Sequence, residues 1–181
     1  MIISLTGFMG CGKSSVGREL SQLLCCPFMD LDQVIEEREG RSIPEIFSRD
    51  GEPEFRRIEL EALKHIVGER PSLVLALGGG AVMRAECAEI VHSDTLCIYL
   101  KASVETLMEH LSGQTDSRPV LNTHDCHSDR AKRVEESALR DRITDLMAKR
   151  SDTYEKTAHI VIDTDGKSIE AVASEIISKL G

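Results

Sequence analysis

The sequence has no tryptophan and few other aromatics, two Tyr and four Phe in 181 residues. Proteins that stack unpaired bases need aromatic platforms, so single-strand nucleic-acid binding is not expected. Basic residues are outnumbered, 22 Lys and Arg against 31 Asp and Glu, for a formal net charge of −9. That balance argues against nucleic acid and anionic membrane as partners, because both need an extended basic face. No apolar run approaches the ~20 residues of a membrane-spanning helix. The start MIISLTGF has neither a basic n-region nor a cleavage site. A soluble, cytoplasmic protein is expected. The six cysteines (Cys11, Cys25, Cys26, Cys87, Cys97, Cys126) form no CxxC pair and no Cys/His spacing suited to zinc. A disulfide framework is not expected in a domain this long.

What is present reads as one domain spanning 1–181. Short apolar runs fall at Ile2 to Leu5, Phe28 to Leu31, Leu73 to Leu77, Leu96 to Leu100 and Ile160 to Ile162. They lack strict alternation, as strands covered on both faces do. Helix-period stripes lie between them: Val16, Leu20, Leu23 and Leu24, then Val104, Leu107, Met108 and Leu111. A further stripe closes the chain, from Ile169 to Leu180. Ser42 and Glu45, around Pro44, have the spacing of a capping box. Strands alternating with helices predict an α/β fold with a five-stranded parallel sheet flanked by helices, its ligands at the carboxyl ends of the strands. From Gly113 to His127 the periodicity vanishes, and a mobile lid is expected over about 113–135. A plain surface loop is the competing reading.

The strongest local signal is Gly7-Phe8-Met9-Gly10-Cys11-Gly12-Lys13-Ser14, a phosphate-binding loop between a strand and a helix. Glycines let backbone N–H groups curl around a polyphosphate, and the helix N-terminus adds positive potential. Lys13 would reach the β- and γ-phosphates, and the Ser14 hydroxyl would coordinate Mg²⁺. Asp30 and Asp32 end the second strand on one side of it. One carboxylate could serve the metal shell and the other a hydroxylated substrate, although Asp32 also reads as a helix N-cap. In the stretch Gly51 to Glu59, Glu59 falls among Phe55, Ala62, Leu63 and Ile66 on an apolar helical face. Arg56 is its available partner and would present a fork to an anion, while Arg57 points to solvent. A purely structural ion pair is the alternative. Gly78-Gly79-Gly80 follows the third strand, where backbone can approach a ligand or simply turn. Arg150 projects along the apolar face of Leu139, Ile143, Leu146 and Met147, and Arg118 lies in the lid stretch.

GFMGCGKSSVG, DLD, GExxFRxxE, GGGA, RPVL and the Arg150 segment RSDTYEKTA occur in the order seen in shikimate kinases. The chain is similar to that family from Ile3 to about Asp165. The resemblance implies a single-domain P-loop kinase fold of the nucleoside-monophosphate-kinase-like group. It also implies γ-phosphoryl transfer from Mg-ATP to the 3-hydroxyl of shikimate, with a monomer as the default state. By position, Gly10, Cys11, Gly12, Lys13, Ser14 and Ser15 would hold the ATP phosphates, with Ser14 and Asp30 serving Mg²⁺. Asp32 would bind the shikimate hydroxyls, and Arg56, Arg150 and Gly79 would hold the rest of the acceptor. Lys13, Asp32 and Arg118 would be the catalytic set, with Arg118 also meeting ATP from the lid. Departures are RPVL for the commoner RPLL, a longer stretch between Arg118 and Arg150, and Ser151-Asp152-Thr153 where a proline is frequent. A nucleotide kinase would need a base pocket for its acceptor, which no segment supplies. A nucleotide-operated switch would need no acceptor site, and the inward Arg56 and Arg150 weigh against it.

Overall fold

A computed structural model describes residues 1–69, 72–111 and 129–181, the side chains of 129–135 excepted. The chain alternates strands β1 (Ile2–Thr6), β2 (Phe28–Asp30), β3 (Leu73–Ala76), β4 (Leu96–Lys101) and β5 (Ile160–Asp163) with helices. The helices are α1 (Lys13–Leu23), α2 (Leu31–Glu39), α3 (Ile43–Glu69), α4 (Ala85–Asp94), α5 (Val104–Leu111), α6 (Asp129–Thr157) and α7 (Ile169–Leu180). The five strands form one sheet in the order β2-β3-β1-β4-β5, every pair parallel.

The unbroken apolar runs of the central strands follow from burial on both faces. Along β3 and its exit, Leu73, Leu75 and Leu77 enter one core with Leu31, Ile46, Phe55 and Leu63. Val74 enters the opposite core with Leu5, Val16, Leu20 and Val172. The same two-residue period splits Cys97 and Tyr99 from Ile98 and Leu100 in β4. Two apolar layers therefore clamp the sheet, one on each face. Ser4, a polar residue in this buried setting, pairs its hydroxyl with Thr95 at 2.7 Å. The stripe ends are less buried than the pattern implies, since Leu23 is 51% and Ile169 42% exposed.

Several boundaries differ from expectation. The second strand ends at Asp30, and Leu31 already belongs to α2. Gly51, at φ 83°, breaks α3 into two helical runs, and Pro53 sits just beyond it where a missing N–H costs nothing. The capping box forms, with Glu45 accepting from the Ser42 amide at 2.8 Å. Helix α6 begins at Asp129, before the periodic stretch at Val134, so the last part of the expected lid, 129–135, is helical. The remainder of the expected lid, 113–128, lies outside the described residues, as does Arg118. Among the described residues no helix is long and apolar enough to cross a membrane.

Candidate active site

Every strand delivers its functional groups at its carboxyl end, where the parallel sheet opens a cleft of about 1010 Å³. The loop after β1 is shaped by its glycines. A Cβ on Gly7, at φ +144°, would lie 2.6 Å from the Leu100 carbonyl oxygen, so only glycine fits. Gly12 caps α1 in the left-handed region at φ 90° and brings no side chain to the helix end. The first amides of α1, on Lys13, Ser14 and Ser15, are therefore left for a ligand. Lys13 Nζ donates to the Gly7 and Phe8 carbonyls, both at 2.9 Å, which holds the ammonium over the same loop. Gly10, Gly12, Lys13, Ser14 and Ser15 line the cleft. Cys11 sits within the same loop with its thiol buried and its amide donating to the Phe8 carbonyl at 3.3 Å.

The capping role at α2 falls to Asp30. Its Oδ1 accepts from the Asp32 amide at 3.1 Å, which makes Asp30 the N-cap of α2. Its Oδ2 accepts from the Ser14 hydroxyl at 2.6 Å, joining the α1 and α2 N-termini. Asp32, one residue into the helix, is thereby released from capping, and its carboxylate lines the cleft. Burial, and next the Asp30 charge, push its carboxyl above the ordinary range, while Lys13 pulls it down.

The expected Arg56–Glu59 pair is present at 2.8 Å, with Glu59 only 1% exposed. Arg56 also reaches Glu52 at 3.2 Å, and Arg84 donates to the Arg56 carbonyl at 3.1 Å. Burial raises the Glu59 carboxyl against the pull of Arg56, and its Oε1 has no hydrogen-bond partner among the described residues. Arg57 faces away and pairs with Glu54 and Glu61 at the surface. The glycine triplet is no plain turn. A Cβ on Gly78 would meet Asp32 Oδ1 at 2.7 Å and Glu59 Oε1 at 3.2 Å. One on Gly80 would meet the Arg56 guanidinium at 2.7 Å, and one on Gly79 the Met9 amide nitrogen at 3.4 Å. The turn is thus packed between the phosphate loop, Asp32 and Arg56. Arg150, from α6, donates to the Gly79 carbonyl at 3.3 Å and stands 5.9 Å from the Phe8 ring centre.

Gly79, Asp30 and Asp32 share one cavity with the phosphate loop, and Arg56 and Arg150 flank it at the glycine turn. Sequence reasoning missed three contributors. His110, on α5, lines the cleft and places Nδ1 2.7 Å from the Gly10 carbonyl oxygen. Lys167 to Glu170 line it from the start of α7, where Ser168 is the N-cap. Tyr154 donates its hydroxyl to the Gly79 carbonyl. It stands in the RSDTYEKTA segment, so the motif held the signal. His110 and Lys167 had none beyond their place after β4 and β5.

Against known proteins, the family model described as shikimate kinase matches residues 9–181. The chain belongs to the shikimate kinase family. It is accordingly an ATP-dependent kinase. A shikimate kinase of Thermus thermophilus is 42% identical over 178 residues, covering 98% of this chain and 89% of that protein. The structure of the shikimate kinase from Acinetobacter baumannii in complex with shikimate is 31% identical, with a TM-score of 0.87 over 99% of this chain and 92% of that one. That of Aquifex aeolicus is 32% identical, with a TM-score of 0.77 over 99% and 96%. The shikimate kinase fold, a five-stranded parallel sheet flanked by helices, is the one described above.

Proposed function

We propose that this chain transfers the γ-phosphoryl group of ATP to the 3-hydroxyl of shikimate, giving shikimate 3-phosphate and ADP for aromatic amino acid biosynthesis. The observation that carries the reading is a single cleft. It joins an uncapped helix N-terminus with its lysine to a half-buried carboxylate, Asp32, beside two inward arginines. The amides of Lys13, Ser14 and Ser15 would hold phosphate oxygens, and Lys13 would exchange its loop carbonyls for the β- and γ-phosphates. Arg56, braced by Glu59, and Arg150 would grip the shikimate carboxylate as planar forks. Asp32 would accept the hydrogen bond of the attacking hydroxyl and take its proton as the P–O bond forms. Burial makes it a better proton acceptor than a solvated aspartate. Gly79 would face the acceptor with its backbone, and Arg118 would meet the transferring group. Holding the two reactants in line is where most of the acceleration would arise.

The oxygens of Ser14 and Asp30, 2.6 Å apart, fit a divalent ion that takes hard oxygen ligands. No cluster of three or more acidic, His or Cys groups able to hold a metal exists among the described residues, which suits a cation bound chiefly through nucleotide phosphates and water. Bound there, Mg²⁺ would neutralise phosphate charge. We further infer, on the net charge of −9, that neither nucleic acid nor an anionic membrane is a partner; a cytoplasmic monomer is the default for a domain of this type. Coupled ADP detection with Mg-ATP tests the reading. Turnover should require shikimate and be negligible with gluconate or nucleoside monophosphates. Comparable turnover on either of those would overturn it.

A further inference from the structure

Tyr154 is used by nothing in the scheme above, although it is one of only two tyrosines in the chain. It sits on α6 one turn beyond Arg150 and is 1% exposed. Its ring packs at 5.2 Å on Tyr99 of β4, which fixes where the hydroxyl can point. That hydroxyl donates to the carbonyl of Gly79, the same oxygen that Arg150 reaches at 3.3 Å. Burial holds the phenol well above its ordinary pKa, so it remains a donor at neutral pH.

Two donors from one helix thus close on one carbonyl of the glycine turn. The peptide is trans, so its C=O and N–H point in opposite directions. With the Gly79 carbonyl drawn to α6, the N–H of Gly80 is turned away from it. Neither the Gly79 nor the Gly80 N–H has a hydrogen-bond partner among the described residues. The turn therefore offers donors, and its three carbonyls are occupied, those of Gly78 and Gly80 by the Ala81 and Met83 amides and that of Gly79 by α6. Beside it stands the Arg56 guanidinium, closer to Gly80 than a methyl group would tolerate. We propose that Tyr154 is a positioning residue for the acceptor site, its hydroxyl locking the Gly79–Gly80 peptide and tying that turn to the helix that carries Arg150. The proposal rests on the acceptor site read above, in which Arg150 and the glycine turn hold shikimate.

Tyr154→Phe removes one oxygen and keeps the ring on Tyr99. Its shikimate KM should rise about tenfold, the equivalent of about 1.4 kcal/mol, while its ATP KM stays within twofold of wild type. A variant with a lowered Tm and both KM values unchanged, or one losing only kcat, would overturn the proposal by making Tyr154 merely structural. Combining it with Arg150→Lys should cost less than the product of the separate effects, because both donors act on one carbonyl; a fully multiplicative result would also overturn it. Should Y154F not fold, wild type made with 3-fluorotyrosine carries two labels, on Tyr99 and Tyr154. Shikimate should shift a fluorine resonance, and two unmoved resonances would overturn the proposal. Wild type that fails to turn over shikimate overturns the underlying reading and the proposal with it; wild-type turnover with an unchanged Y154F overturns the proposal alone.

Discussion

Gly78→Ala probes the closest contact in the acceptor site. The added Cβ would lie 2.7 Å from Asp32 Oδ1 and 3.2 Å from Glu59 Oε1, where ordinary contact begins at 3.4 Å. Asp32 must therefore give way by about 0.7 Å, because Gly78 itself is held by β3 and by the Ala81 amide donating to its carbonyl. A shift of about 1 Å in a reacting group can cost on the order of 10²-fold in rate, so kcat should fall between roughly tenfold and a hundredfold. The ATP KM should hardly move, since the phosphate loop is neighbour to Gly79 and not to Gly78. Gly68→Ala supplies the control. Gly68 is exposed at the end of α3 with no neighbour within 4 Å, and the change should leave kcat unchanged and stability within about 0.5 kcal/mol. Steady-state kinetics with circular dichroism on both variants decides the matter. A folded Gly78→Ala enzyme within twofold of wild-type kcat would refute the reasoning.

Arg56→Ala should chiefly raise the shikimate KM and also lower Tm, because Glu59 would be left charged and buried; Arg57→Ala, at the surface, should leave kinetics unchanged and stability within about 0.5 kcal/mol. Ser168→Ala removes the N-cap of α7 and should cost about 1 kcal/mol, or about 2–4 °C in Tm for a chain of this size, read by thermal melting. Glu59, whose carboxyl is raised by folding, binds its proton more tightly in the native state. Its contribution to stability is therefore present below the ordinary Glu value of about 4.3 and falls as pH rises through its higher native value. Urea titrations should show wild type losing stability relative to Glu59→Gln across that window, and parallel curves would contradict the assignment.

How much was legible follows from where each signal resides. The central strands were readable because burial on both faces leaves apolar runs, as in Leu73 to Leu77, and the phosphate loop because its glycines and lysine are adjacent in the chain. Arg56 could be told from Arg57 since one helical turn places it beside Glu59 on the apolar face. Which of Asp30 and Asp32 caps α2 could not be read from local pattern. It depends on the chain passing from strand to helix at a single residue, which local propensity leaves undetermined by one or two positions. His110 and Lys167 look like solvated polar positions until the sheet sets β4 beside β1 and β5 beyond it, with their ends at one cleft. The packing of Gly78 against Asp32 likewise has no local signature, because a triple glycine serves a loose turn equally well.

The acidic sum of the chain is a property of its outer surface, and it coexists with Lys13, Arg56 and Arg150 gathered at one cleft. The most direct test of that arrangement is the identity of the product. Phosphorus NMR of a reaction with Mg-ATP and shikimate should show one new monoester resonance, coupled to the ring proton at carbon 3, growing in step with ADP. ADP accompanied only by inorganic phosphate, or a phosphate on another hydroxyl, would contradict the account.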